Sequence, residues 1–285
     1  MKRTMIILLA LLLLPPLPLR AQRDSLRVMF WNVENFFDYR SPARPEYWTR
    51  RRFYSKCDAL AKIILRFADR YGELPDIVAL AEVENSFVLR SLLRETPLRK
   101  LDYSYVHFNS PDHRGIDCAL LYRRSALTPE ESRPVHIRDS SGAVMATRDI
   151  LSVQFREGIA VLVNHHPSRI GGKSDRRRAA FAKMEETADS LLCAGTNGVL
   201  CIGDFNECLW PENCPGTIKY NGEWEKIDGC FSYGDIRVRE EVFDDPALLT
   251  EDRKFGGQKP RRTFVGPRYE GGISDHLPVA CFVYF

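Results

Sequence analysis

Short apolar runs, each followed by polar residues, recur along the chain. Residues 26–32, 75–81, 159–163 and 199–202 are such runs, and their length suits buried strands better than helices. Amide, acidic or imidazole side chains come at or directly after the end of each run. Gly203 permits a turn after the last run, which would leave Asp204 and Asn206 accessible at a sheet edge. The pattern predicts a sheet core whose strand ends carry the chemistry.

Helical spacing appears in two further segments. Between residues 53 and 71, apolar side chains recur every three or four positions, and Gly72 offers a C-terminal stop. A second helix is predicted from near Ser174 to just before Gly195. Residues 103–108 and 118–122 read as neighbouring strands, residues 150–155 and 159–163 as a hairpin, and residues 277–285 as the last core strand.

Residues 207–273 carry proline, glycine and tryptophan and predict long loops, with a weak strand signal only at 227–233. In the rest of the chain, hairpin-length connections with interspersed helices favour two packed sheets with helices outside. A doubly wound parallel sheet is the alternative.

The first 21 residues have the pattern of a secretory signal peptide cleaved after Ala21. Lys2 and Arg3 precede an apolar run at residues 5–14, which is far shorter than the ~20 residues that a membrane-spanning helix needs. A membrane anchor is therefore disfavoured, and no stable membrane span is expected after cleavage. We expect an exported protein, periplasmic or secreted, whose residues 22–285 form a single domain.

Charge and cysteine content narrow the partners. Of the 41 basic residues, three lie within residues 1–21, so the remainder has 38 basic side chains against 38 acidic ones. A nucleic-acid partner would therefore be held by a local basic patch rather than by net charge. Eight cysteines permit disulfides in an oxidising compartment. Cys208 and Cys214, which flank a proline-containing loop, are the favoured bridge, whereas Cys118, Cys201 and Cys281 are expected to be buried thiols.

Each polar strand end alone has an ordinary explanation as a turn or a cap. Their repetition is harder to explain in that way. If the ends meet, carboxylate and amide oxygens would suit a hard divalent ion, and imidazoles would suit proton transfer or charge stabilisation. The residues concerned are Asn32, Glu34, Glu82, Asn164, His165, Asp204, Asn206, Asp275 and His276.

Five short motifs in this order resemble the endonuclease/exonuclease/phosphatase superfamily, the deoxyribonuclease I-like fold. They are WNVEN at 31–35, AEVE at 81–84, NHHP at 164–167, GDFN at 203–206 and SDHLP at 274–278. The segment RGIDCALLYR at 114–123 is similar to the exported bacterial, nuclease-like branch. The resemblance implies an α/β (α+β) fold: a four-layer αββα sandwich in which two packed mixed β-sheets are flanked by helices.

The resemblance also implies where a metal and the substrate bind. Glu82 matches the principal metal carboxylate, with Glu34 and Asp275 as further metal ligands. Asn32 and Asn164 are assigned to substrate binding. Two loop arginines, Arg114 and Arg169, are candidate phosphate contacts. The implied ion is Mg²⁺, with Mn²⁺ or Ca²⁺ as the other candidates.

Five matching residues are implied in catalysis. Asp204 would orient or deprotonate the attacking water, Asn206 would hold the phosphate, and His276 would lie at the scissile phosphate. His165 would contact the phosphate or the leaving oxygen. The carboxylate partner that keeps His276 protonated is assigned to Asp228, with Asp245 in reserve.

The resulting expectation is an exported metal-dependent phosphodiesterase, a nuclease that cleaves DNA or RNA with little sequence preference. One alternative is a phosphomonoesterase or a phospholipase-C-like hydrolase of the sphingomyelinase or inositol phosphatase type. A second alternative is a non-catalytic binding module on the same scaffold. The expected partner is nucleic acid or another phosphate ester, and the sequence identifies no protein partner.

Overall fold

Two β-sheets form the centre of the molecule in a computed structural model that describes residues 24–169, 174–209 and 214–285. The predicted signal peptide lies outside the described residues. The strands are β1 (Ser25–Phe36), β2 (Ile77–Val83), β3 (Tyr103–His107), β4 (Asp117–Arg123), β5 (Pro129–Val135), β6 (Ile150–Phe155), β7 (Ile159–His165), β8 (Gly198–Asp204), β9 (Ile218–Tyr220), β10 (Glu223–Glu225), β11 (Asp228–Gly234), β12 (Arg237–Val242), β13 (Leu249–Glu251), β14 (Gln258–Pro260), β15 (Phe264–Val265), β16 (Arg268–Tyr269) and β17 (Val279–Tyr284). The helices are α1 (Arg50–Tyr71), α2 (Ser86–Arg94) and α3 (Ser174–Cys193), with 3₁₀ turns at Pro97–Lys100 and Pro246–Leu248.

Both large sheets are mixed. The first has six strands in the order β12-β17-β1-β2-β4-β3, and the second has five in the order β11-β8-β7-β6-β5. β1 runs parallel to β2, and β7 runs parallel to β8, whereas the other neighbours in both sheets are antiparallel. The predicted 103–108/118–122 pair and the 150–155/159–163 hairpin are confirmed as β3–β4 and β6–β7.

Four layers follow from where the apolar side chains lie. Val28 and Phe30 of the six-stranded sheet pack with Val161 and Ile202 of the other sheet. On the outer side of the six-stranded sheet, α1 and α2 bury their apolar faces against side chains such as Trp31. Helix α3 covers the outer side of the five-stranded sheet. The predicted αββα sandwich is therefore confirmed, and the doubly wound alternative is wrong.

Helix α1 shows how local sequence sets an element. The hydroxyl of Thr49 accepts the backbone N–H of Arg52 at the start, and Gly72 at the end adopts φ 82° while its N–H bonds to the carbonyl of Ala68. A left-handed residue at this position is favourable only for glycine among ordinary residues. The predicted stop at Gly72 is therefore confirmed. No helix among the described residues is long and apolar enough to cross a membrane.

The prediction of long loops across 207–273 is wrong in part, because several short strands interrupt the segment, whereas its weak strand signal at 227–233 is confirmed by β11. β11 and β12 extend the two sheets at their edges, and β9–β10, β13–β14 and β15–β16 form short hairpins. These strands are short or half-exposed, so they lack the apolar run that predicts the core strands from the sequence. Helix α2 was also absent from the prediction, although Asn85 caps it by accepting the N–H of Phe87 at 2.9 Å.

The predicted Cys208–Cys214 disulfide is absent from the structure, in which both of these cysteines are free thiols. Cys208 Sγ lies instead 3.6 Å from Glu225 Oε2 and 3.9 Å from Arg169 Nη1. The Cys208 thiol thus contacts polar side chains of β10 and of the loop that follows β7. Cys118, Cys201 and Cys281 are buried, as predicted.

Candidate active site

Three strands of the five-stranded sheet present polar side chains next to one another. Asp204 ends β8, and in the strand register it lies beside His165 of β7 and Asp228 of β11. Their exposed fractions are only 2%, 4% and 0%. The sheet therefore brings together, in a buried setting, three residues that are far apart in the sequence.

The six-stranded sheet contributes Asn32 and the loop before β17. The side-chain amide of Asn32 donates a 2.9 Å hydrogen bond to Asp204 Oδ2, which joins the two sheets. Ser274 Oγ donates to the carbonyl of Asn32 at 2.6 Å, and Trp31 Nε1 donates to the carbonyl of His276 at 2.9 Å. These bonds hold the loop that carries His276 against β1.

His276 forms a buried ion pair with Asp228. Its Nδ1 lies 2.8 Å from Asp228 Oδ2, and the hydroxyl of Thr217 donates a 2.6 Å hydrogen bond to the same oxygen. Burial lowers the pKa of His276, but the charge and hydrogen bond of Asp228, with two further aspartates, raise this pKa well above its ordinary value. His276 is therefore an imidazolium at neutral pH.

Asp245, the reserve candidate for this partner, is engaged elsewhere. Its carboxylate accepts the N–H of Ala247 at 2.9 Å and pairs with Arg66 at 2.7 Å. The structure thus places Asp228, and not Asp245, against the His276 ring.

Asp204 has the environment of a general base. Burial raises its pKa to about 7, and the charge of Asp228 acts in the same direction, against the opposing effect of His276. Asp204 Oδ1 accepts the backbone N–H of Asn206 at 2.9 Å. A carboxyl group with a pKa near 7 is well matched to accepting a proton from water at neutral pH.

His165 and Asn164 occupy different settings although they are adjacent. His165 Nε2 lies 3.6 Å from Asp204 Oδ2, and burial, followed by the charges of nearby arginines, lowers the pKa of His165 well below its ordinary value. It is a neutral imidazole at the cluster. Asn164 is fully buried, and its amide donates to the carbonyl of Leu162 at 2.8 Å. This burial argues against the predicted contact between Asn164 and substrate.

The predicted metal carboxylates gather around a guanidinium group. Arg262 Nη2 lies 2.7 Å from Glu34 Oε1 and 3.1 Å from Asp275 Oδ2. Glu82, in β2, lies near these carboxylates, and its Oε2 accepts the backbone N–H of Asn35 at 2.8 Å. Burial raises the pKa of Glu34, and the charge of Asp275 raises it further.

A second cation is buried beneath these carboxylates. Lys56 Nζ donates to the carbonyl of Glu34 at 2.5 Å and to the hydroxyl of Thr263 at 2.9 Å. Burial lowers the pKa of Lys56 to about 8, although Glu34 and Glu82 act in the opposite direction. At neutral pH this ammonium group offsets part of the negative charge of the cluster.

The donor set of Glu34, Glu82 and Asp275 fits a hard divalent ion. Carboxylate oxygens are the ligands that Mg²⁺ prefers, and Arg262, which pairs with Glu34 and Asp275, would compete with the ion for two of these carboxylates. Glu82 Oε1 is only loosely engaged, with Arg114 Nη2 at 3.7 Å and His165 Nε2 at 4.0 Å. These three residues would hold the metal.

A tighter grouping also has metal-ligand character. Ligand atoms of Asp204, Asp228 and His276 all lie within 4.8 Å of one another. A metal at this place would compete with the 2.8 Å His276–Asp228 hydrogen bond and with the hydrogen bonds that Asp204 accepts. We therefore interpret this grouping as the proton-transfer part of the site.

The two candidate phosphate arginines differ in position. Arg114 approaches Glu82, and 42% of its side chain is exposed, so it is free to meet a ligand at the rim of the site. Arg169 pairs with Glu225 and touches Cys208, so its contacts lie outside the cluster. Asn206 donates its side-chain amide to the carbonyl of His166 at 3.0 Å, which fixes it beside Asp204.

Backbone strain is concentrated in the same place. Glu34, Glu82 and Asn206 have φ values of 45°, 66° and 52°, a region that non-glycine residues rarely adopt. The pairing of β1 with β2 and of β2 with β4 is irregular at the first two of these residues. Such bulges redirect side chains, and here they accompany two predicted metal ligands.

Several supporting residues were absent from the sequence-based prediction. Arg262, Thr217 and Lys56 each contact a predicted site residue. Arg262 and Thr217 lie in the segment predicted as loops, and Lys56 lies in the predicted first helix, where a lysine gives no sign of being buried. Ser274 stood inside the SDHLP motif, so its position could have indicated that it supports the loop.

The arrangement agrees with the family whose sequence pattern the chain matches. The model of the endonuclease/exonuclease/phosphatase family matches residues 27–225 and 209–284. The chain belongs to this family. No curated protein matches the chain in sequence.

Solved structures of this fold resemble the chain at low sequence identity. TDP2 from C. elegans is 15% identical, with a TM-score of 0.59 over 92% of this chain and 75% of that one. A mannosyl-6-phosphatase from Bacteroides thetaiotaomicron is 19% identical, with a TM-score of 0.58 over 91% and 100%. D. rerio TDP2, complexed with single strand DNA product, is 15% identical, with a TM-score of 0.55 over 92% and 100%. At these identities the likeness shows the fold alone.

Proposed function

We propose that this phosphoesterase-family protein is a Mg²⁺-dependent phosphodiesterase, and that DNA or RNA is its substrate. The observation that carries the proposal is the buried chain Asp228–His276–Asp204, in which one side chain is suited to hold charge and another to accept a proton. The proposed metal ligands adjoin this chain through Asp275, whose Oδ1 lies 3.9 Å from His276 Nε2. A binding module without catalysis would have no chemical use for this combination.

Glu82, Glu34 and Asp275 would hold the metal, which would supply Lewis acidity to the phosphate. The remaining chemistry falls to the chain's own residues. Asp204 takes a proton from the attacking water, whose oxygen forms a bond to phosphorus as the ester bond to the leaving oxygen breaks.

His276 stabilises negative charge on the phosphate through its Nε2–H group. Asp228 keeps that ring protonated and oriented by accepting from Nδ1, a role that the 2.8 Å contact between the two atoms supports. His165, a neutral ring 3.6 Å from Asp204, offers a further hydrogen bond to the phosphate.

A phosphomonoesterase is the second candidate, and one feature favours it. Arg114 and Arg262 bring two guanidinium groups to the carboxylate cluster, and a terminal phosphate dianion needs more positive charge than a diester. The similar structure of a mannosyl-6-phosphatase supports the same reading. The balanced charge outside residues 1–21 also gives no general attraction for a nucleic-acid polymer.

One substrate panel separates the candidates. Plasmid DNA, RNA, bis-p-nitrophenyl phosphate and p-nitrophenyl phosphate are incubated with the protein in Mg²⁺ and in chelator, next to His276→Ala. We expect diester and nucleic-acid cleavage that chelator and His276→Ala both abolish. Turnover of the monoester alone would assign the phosphatase function. Intact substrates throughout would contradict both hydrolase proposals and favour the binding module.

The matched control is His136→Ala. His136 also pairs through Nδ1 with an aspartate, Asp149, at 2.9 Å, but it lies outside the cluster. The His136→Ala variant should keep a hydrolysis rate within about twofold of wild type. That result would exclude the loss of any histidine–aspartate pair as the cause of the His276→Ala effect.

We also propose export, on the strength of the signal-peptide pattern in residues 1–21. Expression of the full chain in a bacterial host, followed by N-terminal sequencing of the periplasmic and culture fractions, tests this. A mature protein that starts at Gln22 is expected. An uncleaved chain confined to the cytoplasm would contradict the proposal.

A further inference from the structure

Two thiols from different sheets meet between the layers of the sandwich. Cys230 of β11 and Cys281 of β17 have their Sγ atoms 3.0 Å apart. Cys281 is fully buried, and Cys230 is half-buried. A disulfide bond requires sulfur atoms about 2.05 Å apart, so the two side chains need to approach by only about 1 Å.

The strand register explains why these thiols face each other. Cys281 lies opposite Glu240 of β12 in the six-stranded sheet, so both side chains point to the same face. Cys230 lies opposite Ile202 in the other sheet and belongs to the same apolar layer. The contact is thus built into the pairing of two sheets, and it does not depend on a flexible loop.

We propose that Cys230 and Cys281 form a disulfide bond that links the two sheets. The two cysteines lie outside the hydrolytic site, and the proposed bond does not depend on the function proposed for that site. The oxidant is a disulfide of small thiols or of another protein, which acts by thiol–disulfide exchange.

The exchange balances in two steps. The Cys230 thiolate attacks one sulfur of the donor disulfide and releases one donor thiolate, which leaves a mixed disulfide on Cys230. The Cys281 thiolate then attacks the Cys230 sulfur and releases the second donor thiolate. The two cysteine protons end on the two donor thiols, so the protein pair is oxidised by two electrons and the donor disulfide is reduced by two.

Glu240 slows the first step. The thiol of Cys230 donates to Glu240 Oε2 at 3.2 Å, and this hydrogen bond to a carboxylate favours the thiol over the attacking thiolate. The hydrogen bond with the Cys281 thiol, followed by burial and the Glu240 carboxylate, raises the pKa of Cys230 well above its ordinary value, and we therefore expect slow exchange.

A metal ion is the competing use of the same residues, because ligand atoms of Cys230, Glu240 and Cys281 lie close together. Lys226 argues against it. Its ammonium group pairs with the Glu240 carboxylate, so it would repel a cation held there. A neutral disulfide meets no such repulsion.

The position of the bond connects it to the hydrolytic site. Asp228 lies two residues before Cys230, and His276 lies five residues before Cys281. The disulfide would therefore join the two strands whose ends hold the Asp228–His276 ion pair.

The test uses the full chain, reduced and then exposed to oxidised glutathione, with peptide mapping under non-reducing conditions. We expect a linked peptide that contains Cys230 and Cys281, the loss of two titratable thiols, and a rise in Tm of about 5 °C. A variant with Cys193, Cys208 and Cys214 replaced by serine removes accessible competing thiols and should give the same linked peptide.

The Cys230→Ser variant keeps a donor for Glu240 and is the matched control. It should lose both the linked peptide and the Tm rise while remaining folded in its reduced form. Full alkylation of both cysteines after oxidation would overturn the proposal, as would a bridge between other cysteines. Binding of one Zn²⁺ per chain that Cys230→Ser abolishes would assign a metal site instead and would equally overturn it.

Discussion

At the scale of single residues, the site depends on buried charges, each of which is compensated by a nearby group of opposite charge. The His276 imidazolium is stabilised by Asp228, and the carboxylates of Glu34 and Asp275 share Arg262. Removal of one partner leaves the other charge without compensation, and a buried uncompensated charge is costly. Substitutions here should therefore lower the free energy of unfolding as well as alter protonation and metal affinity.

Asp228→Asn tests the role of the buried ion pair. The carboxylate raises the pKa of His276, so its removal should lower that pKa. Because activity requires the protonated ring, the alkaline limb of the rate–pH profile should move to lower pH, and kcat at pH 7.5 should fall about 10²-fold. Asp149→Asn, which affects the remote His136 pair, is the control. An unchanged alkaline limb would show that Asp228 does not set the charge of His276.

Arg262→Gln tests whether the guanidinium competes with a metal. Because Arg262 shares Glu34 and Asp275 with the proposed ion, its loss should strengthen Mg²⁺ binding about threefold to tenfold. Isothermal titration of the apoprotein with Mg²⁺ measures this without reference to activity. Arg66→Gln, which removes an arginine paired with the remote Asp245, should leave the affinity unchanged. Weaker binding by Arg262→Gln would contradict the competition.

The sequence anticipated the reactive residues here but not their partners. His276, Asp204 and Glu82 stand in compact motifs at strand ends, so their patterns were visible. Arg262 and Thr217 reach the site from a segment of short hairpins, and contact between distant segments leaves no local pattern. The left-handed backbone of Glu82 was equally invisible, because glutamate has no preference for that conformation.

At the scale of elements, the parallel pairing of β7 with β8 aligns the proposed catalytic residues. Asn164 lies opposite Gly203, and His165 lies opposite Asp204. The apolar runs of both strands were clear in the sequence because each is buried on both faces. Edge strands such as β12 were missed, since their half-exposed alternation carries a weaker signal.

Gly203→Ala tests this alignment. An added Cβ would lie 2.4 Å from the carbonyl oxygen of Asn164, which is backbone and cannot move away cheaply. We expect a loss of unfolding free energy of about 1–3 kcal/mol and reduced activity, measured by denaturant unfolding and by diester hydrolysis. Gly256→Ala meets no atom within 4 Å and strains only its own φ of 80°, so it should cost about 1 kcal/mol. Equal effects in the two variants would contradict the argument.

At the scale of the whole molecule, the sandwich keeps some histidines neutral by burying them. Burial, helped by Arg148 and Arg177, lowers the pKa of His166 to about 3. Its ring packs edge-on against Phe181 and Phe205. A neutral imidazole therefore fits among these two aromatic rings.

His166 should make the fold sensitive to acid. The pKa is lower in the folded protein than in the unfolded chain, so between about pH 6.5 and pH 3 the unfolded chain binds more protons. The stabilisation is complete above about pH 6.5 and is lost as the pH falls towards 3. His166→Gln should therefore show a shallower loss of unfolding free energy between pH 6.5 and pH 4, whereas the exposed control His113→Gln should follow wild type. Parallel curves for His166→Gln and wild type would contradict this.

The central claim is that the gathered strand ends form a metal-dependent phosphodiesterase centre in which Glu82 is the principal metal ligand. The most direct measurement is the initial rate of bis-p-nitrophenyl phosphate hydrolysis against Mg²⁺ concentration for wild type and Glu82→Gln. We predict a wild-type rate that saturates with Mg²⁺ and disappears in chelator, and a Glu82→Gln rate at least about 10²-fold lower at the same Mg²⁺. A wild-type rate that chelator leaves unchanged, or equal rates for a folded Glu82→Gln and wild type, would contradict the claim.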